Sequence, residues 1–464
     1  LTMNPEFTPS RRHLLKSVSS GFGYLAFAAL VHERALAESP LAPKQPHFPA
    51  RAKRVIFLSM RGAPSHVDTF DYKPKLTADD GKTGKYGRGN ASRLLGSPWK
   101  FRQHGEGGLW ISELFPEIAK HADQLSVLKG MHTDLPNHPQ AQTQMHTGNS
   151  QFVRPSLGAW SVYGLGTENE NLPGFVALNP APGTAQHFGS AFLPAIYQGT
   201  KIGAASRRRN QRGGSQSPQI PNVSNAKMDR GMQRTQLDFV QALNRDKLAR
   251  DVHQPQVEGV IESFELAFRM QDQLPKLVDL ADESQSTLDL YGIGGGETDR
   301  FGRQCLLARR FAEEGVRFIE LSHQNWDHHF NLKEDLPARC HEIDRPIAGL
   351  LTDLAQRDML KDTLVIWAGE FGRTPHGQGG NGRDHNNKGY STWMAGGGVK
   401  GGFSYGATDE HGYEAVEGKM HIHDWHATIL HLLGLDHEAL TFRHAGRDFR
   451  LTDVHGEVAK EILA

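Results

Sequence analysis

Four clusters in this chain set carboxylate and imidazole side chains close together. They are Ser65-His66-Val67-Asp68-Thr69-Phe70-Asp71, His132-Thr133-Asp134-Leu135-Pro136-Asn137-His138 (leading to His146), His323-Gln324-Asn325-Trp326-Asp327-His328-His329, and Glu370 with Arg383-Asp384-His385. Imidazole and carboxylate together ligate zinc or a harder divalent ion, and a carboxylate beside an imidazole also orients it as a ligand. One Asp-His pair is ordinary surface chemistry. Four clusters point to a metal site, provided the fold brings them together. A fifth stretch, His421-Ile422-His423-Asp424-Trp425-His426, opens an amphipathic segment. A helix start favours Asp and polar caps, so these histidines read as capping and packing groups before they read as direct ligands.

The elements that must position these groups are short apolar runs. Arg54–Met60 (RVIFLSM) breaks into Arg61-Gly62-Ala63-Pro64, and Leu125–Leu128, Val316–Leu321 and Thr363–Ala368 resemble it. Runs of this kind, ended by turn residues, predict strands buried on both faces. Residues 305–314 and 347–357 show apolar positions at three- and four-residue spacing and predict helices. Strand alternating with helix predicts a parallel α/β sheet, whose ligands sit beyond the carboxyl ends of the strands. Each of the four clusters follows such a run. Residues 207–227 predict a polar, basic loop, and 236–288 a mostly helical flank.

The chain has 464 residues, 52 Lys+Arg against 52 Asp+Glu, two cysteines and 25 histidines. Balanced charge argues against a general affinity for nucleic acid. Two cysteines exclude a disulfide scaffold and a cysteine-based zinc module. Residues 1–37 carry Ser10-Arg11-Arg12-His13-Leu14-Leu15-Lys16, a modestly apolar stretch from Gly21 to Val31, and Ala35-Leu36-Ala37. That order predicts a twin-arginine signal peptide, recognition by the twin-arginine export machinery, and a mature protein in the periplasm or outside the cell. Cys305 and Cys340 would then be able to pair. No other run approaches the roughly 18 apolar residues of a membrane span.

The motifs PSHVDTFD, RPSLGAW, WDHH, GEFGRTP, GRDHN, WMAGGGVKGG and HATILHLLGLD resemble those of an exported bacterial family, domain of unknown function 1501. The order Asp68, Asp327, His329, Glu370, His385 resembles the alkaline phosphatase-like superfamily of phosphatases, pyrophosphatases, mutases and sulfatases. The resemblance implies an α/β/α sandwich with a mostly parallel central sheet, formed by one domain over 45–464, with 200–300 as a loop plus helical cap. It implies Asp327, His329 and His385 as one metal position, with zinc expected. Asp68 and Glu370 would form a second position suited to calcium, magnesium or manganese, since Phe371 follows where related enzymes place another ligand. Thr133 stands near the superfamily's nucleophile position, and neither cysteine lies in a formylglycine motif. Arg373 would hold two ester oxygens, or else form a salt bridge fixing its own turn; Asn137, His138 and Asp384 are further site candidates. The implied activity is metal-dependent hydrolysis of a small-molecule or saccharide phosphate or sulfate ester. The alternative is a catalytically inactive, metal-stabilised binding or structural protein on the same fold.

Overall fold

The computed structural model of the protein describes residues 40–85, 93–203, 228–250 and 255–464. Residues 1–37, expected to be a signal peptide, and residues 207–227, expected to be a polar loop, lie outside the described residues. A nine-stranded sheet runs through the centre. Its order is Phe403–Tyr405, Leu125–His132, Tyr390–Ala395, Thr363–Ala368, Arg54–Met60, Phe318–His323, Phe175–Leu178 and Thr200–Ile202, with Met420–His421 also on Leu125–His132. All pairings are parallel except those of Tyr390–Ala395, which is antiparallel to both neighbours.

The apolar runs become central strands because both faces of the sheet are covered. Every residue of Thr363–Ala368 and of Tyr390–Ala395 is buried. Helices supply the cover. Asp299–Glu313 packs on the sheet and on Leu332–Gln356, which buries Ile343, Ile347, Leu350, Leu351 and Leu354. Each such side chain contributes roughly 1.5–3 kcal/mol on leaving water. The helical flank forms as Arg230–Arg250, Pro255–Val278 and Gln285–Leu290. No helix among the described residues is long and apolar enough to cross a membrane. Cys305 and Cys340 are buried free thiols, each on one of the two packed helices.

Register decides what the sheet presents at its carboxyl edge. Met60 pairs with His323, and Ser59 with both Ser322 and Ala368. The segments after these three strands therefore leave the sheet side by side, carrying Gly62, Asp327 and Glu370.

Three of the segments after the strands are more ordered than their composition suggests. Residues 138–147 form a helix closed by Gly148 in the left-handed region (φ 70°). Gly372–Gln378 and Gly382–Asn386 form an antiparallel hairpin, turned at Gly379 (φ 60°) and Gly380 (φ 94°). The helix Ile422–Leu432 takes in most of the fifth histidine stretch. The His421 side chain accepts the His423 N–H at 3.3 Å and Asp424 accepts the His421 N–H at 2.8 Å, a reciprocal cap.

His426, on that helix, is fully buried; its Nε2–H donates to Met145 O at 2.7 Å, while Nδ1 has no partner. Burial, reinforced by His423, pushes its pKa down to about 3. The unfolded chain takes up this proton near pH 6.5, the folded chain only near 3. Stability present above pH 6.5 is thus lost as the pH falls toward 3, by about 1.4 kcal/mol per pH unit for each such histidine. His426→Gln keeps the donor and removes the titration. It should flatten the fall of Tm with acid in chelator-treated protein, and an unchanged slope would count against this assignment.

Candidate metal centre

Asp327, His329 and His385 come together, and His138 joins them. One nitrogen or oxygen from each of the four lies within 4.8 Å of the others. Oδ1 of Asp327 stands 2.9 Å from His329 Nε2, 3.2 Å from His138 Nε2 and 3.3 Å from His385 Nε2. Each imidazole is held from behind through Nδ1. His138 Nδ1–H donates to Glu370 Oε1 at 2.6 Å, His385 Nδ1–H to Pro136 O at 2.8 Å, and His329 Nδ1–H to Gln378 Oε1. Those partners assign the tautomers and turn three Nε2 atoms toward one carboxylate oxygen.

This donor set fits a metal ion. His329 Nε2 and His385 Nε2 lie 2.9 Å apart, and with both Nδ1 protons directed outward they face each other as lone pairs. Such an arrangement repels itself unless a proton or a cation lies between. His138 Nε2 is buried and near Asp327 without hydrogen-bonding geometry, an orphaned polar atom aimed into the same space. Three imidazoles and a carboxylate suit zinc, and imidazoles anchored by carboxylate, amide and carbonyl oxygens are the usual outer partners of such a site.

The ion-free electrostatics agree. Burial alone would lower the His138 pKa, but Asp327 and Glu370 outweigh it and raise it to about 9. Burial works to raise the Asp327 pKa, and His138, His385 and Arg373 overcome it and hold the carboxylate well below its usual range.

Glu370 is fully buried behind His138. Its carboxylate accepts Gln142 Nε2 at 2.9 Å and Gly62 N at 3.0 Å, besides His138. Only glycine fits at position 62: φ is +108°, and a Cβ there would meet Asp327 N at 2.7 Å. Phe371 packs against the rings of His138 and His385, with centroids at 4.8 and 4.7 Å, and forms the apolar wall of the group. Glu370→Gln should weaken ion affinity about 10–100-fold through His138, as measured by competition with a chelator; unchanged affinity would remove Glu370 from the site.

The remaining sequence candidates lie around this group. Asp68 and Arg383 form a fully buried bidentate pair, with Nε–Oδ2 2.7 Å and Nη2–Oδ1 3.1 Å, and Ser65 Oγ donates to the same carboxylate at 2.6 Å. Arg373 donates to Asp327 Oδ1 at 2.6 Å, to Ala63 O at 3.0 Å, to Arg383 O at 3.3 Å and also to Gly62 O. Its guanidinium is buried and its donors are spent on holding Asp327 and the turn at 62–63. Thr133 is buried and its hydroxyl donates to Gln144 Oε1 at 2.8 Å. Asp384 Oδ1 accepts its neighbour His385 N and stays 3.9 Å from His329 Nδ1; Asn137 is the residue before the His138–Thr147 helix. Gln142 and Gln378 carry no sequence signal, since a glutamine in a helix or hairpin is unremarkable until its partner is known.

A mostly parallel α/β sheet with a three-histidine, one-aspartate group beyond its carboxyl edge defines the class of protein. The chain belongs to the family described as Protein of unknown function (DUF1501), which matches residues 52–463. No curated protein matches it. Among solved structures it is similar to PsFucS1 sulfatase from Pseudoalteromonas sp., at 14% identity over 84% of this chain and 69% of that one, TM-score 0.35. It is also similar to alkaline phosphatase from the Antarctic bacterium TAB5, at 10% identity over 84% and 99%, TM-score 0.32. A third is phosphonate monoester hydrolase SpPMH from Silicibacter pomeroyi, at 9% identity over 82% and 73%, TM-score 0.32. Superpositions this loose say nothing about the reaction of this chain.

Proposed function

We propose that the protein is an exported, metal-dependent hydrolase of phosphate or sulfate esters. The observation that carries this reading is the convergence of three anchored Nε2 atoms on Asp327 at the carboxyl edge of the sheet. When bound, a zinc-like ion supplies Lewis-acid polarisation of an ester oxygen and activation of water. His138, His329, His385 and Asp327 would hold it, Glu370 and Gln378 orient two of the imidazoles, and Arg373 fixes Asp327. Asp68 and Arg383 brace the hairpin that carries His385. The attacking oxygen is water rather than Thr133, because the amide that receives the Thr133 hydroxyl proton cannot act as a base. A cavity of about 560 Å³ is lined by Ser322 to Asn325, the segment that leads to Asp327, with Arg300, Glu297 and the paired Arg339 and Glu342 on its wall.

Zinc-reconstituted protein should turn over an aryl phosphate, a phosphodiester or an aryl sulfate, and lose that turnover in Asp327→Ala. A second reading is favoured by one observation: Arg373 and Thr133 are both buried and hydrogen-bonded within the protein, Arg373 to Asp327 and backbone carbonyls and Thr133 to Gln144. It is an ion-stabilised binding or structural protein, and it would give bound ion and a chelator-sensitive Tm with no turnover across the panel.

A further inference from the structure

We propose that Arg61 and Gln142 are positioning residues for the ion site: the guanidinium fixes the Gln142 amide, the amide fixes Glu370, and Glu370 fixes His138. The proposal rests on an ion held around Asp327 and not on any reaction there.

One face of the helix His138–Thr147 carries the relay. His138, Gln142 and His146 recur at four-residue spacing, so their side chains form one stripe with a residue per turn. Thr363–Ala368, Arg54–Met60 and Phe318–His323 are neighbouring strands of the sheet. Each supplies the stripe with one partner: Glu370 two residues past the first, Arg61 directly after the second, and Glu320 within the third. His138 Nδ1–H donates to Glu370 Oε1 at 2.6 Å, and Arg61 Nη2–H donates to Gln142 Oε1 at 2.8 Å. His146 meets two acceptors, Gln142 O at 2.7 Å from Nδ1 and Glu320 Oε1 at 3.0 Å from Nε2, so both ring nitrogens donate. Glu320 is thereby matched by an imidazolium, and the charge of Arg61 is left to face Glu370.

Chemistry at Arg61 sets the direction of the relay. A guanidinium has donors and no acceptor, so the Gln142 amide must offer it Oε1. Nε2 then faces Glu370 Oε1 at 2.9 Å as a donor. With the amide reversed, its oxygen would oppose the carboxylate and its NH2 the guanidinium. Held this way, Glu370 accepts from His138 Nδ1–H, and His138 keeps the tautomer whose Nε2 lone pair is turned toward Asp327. The bond to Gln142 is the only side-chain hydrogen bond of Arg61 among the described residues, and its Nε is buried with no partner. The Arg61 guanidinium is therefore not spent on backbone carbonyls, as that of Arg373 is. Burial acts to lower the Arg61 pKa, and the charges of Glu370 and Glu320 act against it.

The zinc affinity of the full-length protein, read by competition with a chelator, tests the relay. Arg61→Met and Gln142→Leu should each weaken it about tenfold. The double variant should be no weaker than either, because both break the same chain of bonds. In a Glu370→Gln background Arg61→Met should have little further effect. Arg61→Lys should recover part of the loss, since an ammonium also donates to Oε1. Folding is read separately, from the Tm of the chelated variants. An Arg61 with a merely structural role would lower that Tm and leave zinc affinity unchanged, which would overturn the proposal. Losses that multiply in the double variant would do the same. Should Arg61→Met fail to fold, Gln142→Leu decides alone, and wild-type affinity there ends the relay. Absence of ester turnover bears on none of these outcomes, whereas unchanged ion content in Asp327→Ala would remove the site itself.

Discussion

Asp327→Ala should bind its ion about 100-fold more weakly than wild type and lose it on ordinary purification. A four-ligand zinc site in a small peptide is worth about 10–16 kcal/mol at neutral pH, so one ligand accounts for about 3 kcal/mol, which is roughly 100-fold in Kd. Asp327 is the group's only carboxylate, and its Oδ1 is the point on which all three imidazoles converge. Its loss also removes the carboxylate with which the buried Arg373 is paired. Elemental analysis of protein purified without added metal checks this directly. Asp384→Ala is the control: that carboxylate is 3.9 Å from His329 Nδ1 and outside the group, so ion content should hold. Binding should also depend on pH with a definite sign. His138 carries a proton below about pH 9 in the ion-free protein and must release it to ligate. Affinity should therefore rise with pH, by up to about tenfold per unit from this proton, and level off near 9. Wild-type ion content in Asp327→Ala would end the assignment of the site.

The sequence made some of this legible and hid the rest for physical reasons. Arg54–Met60 and Thr363–Ala368 are readable because a strand buried on both faces must be apolar throughout, and that is a local property. Leu125–His132 was readable only to Leu128, since Lys129 and Gly130 interrupt the apolar run while the backbone keeps pairing. The 372–386 hairpin was not readable as strands. Its glycines and Pro375 signal a loop, and it is held in place by Arg373 and Arg383 rather than by alternating apolar residues. Asp327, His329 and His385 stood out because carboxylate and imidazole recur after strands. Partner choice did not stand out. His138 and Glu370 are 232 positions apart, and Asp68 and Arg383 are 315 apart. No local pattern says which carboxylate takes a histidine and which an arginine.

The Asp68–Arg383 pair decides what kind of site this is, and breaking it should have the largest effect on stability. Both side chains are fully buried, so Arg383→Met leaves an uncompensated carboxylate in the interior. Removing one partner of such a pair costs about 3–5 kcal/mol, whereas replacing both by groups of similar size is often close to neutral. Arg383→Met should therefore lower Tm by on the order of 5 °C, and adding Asp68→Asn should restore much of it. That coupling is what a double-mutant cycle isolates. The same variants separate two roles for Asp68. In the superfamily pattern it would serve a second ion, and Asp68→Asn would then reduce ion content. In this fold a guanidinium occupies both carboxylate oxygens, which is the charge a second ion would otherwise supply. Asp68→Asn alone should then lower Tm through the stranded Arg383 and leave the ion held by Asp327 in place. If Asp68→Asn instead depletes ion content as far as Asp327→Ala does, with Tm unaffected in chelated protein, Asp68 is a ligand and the guanidinium is its substitute only in the ion-free state.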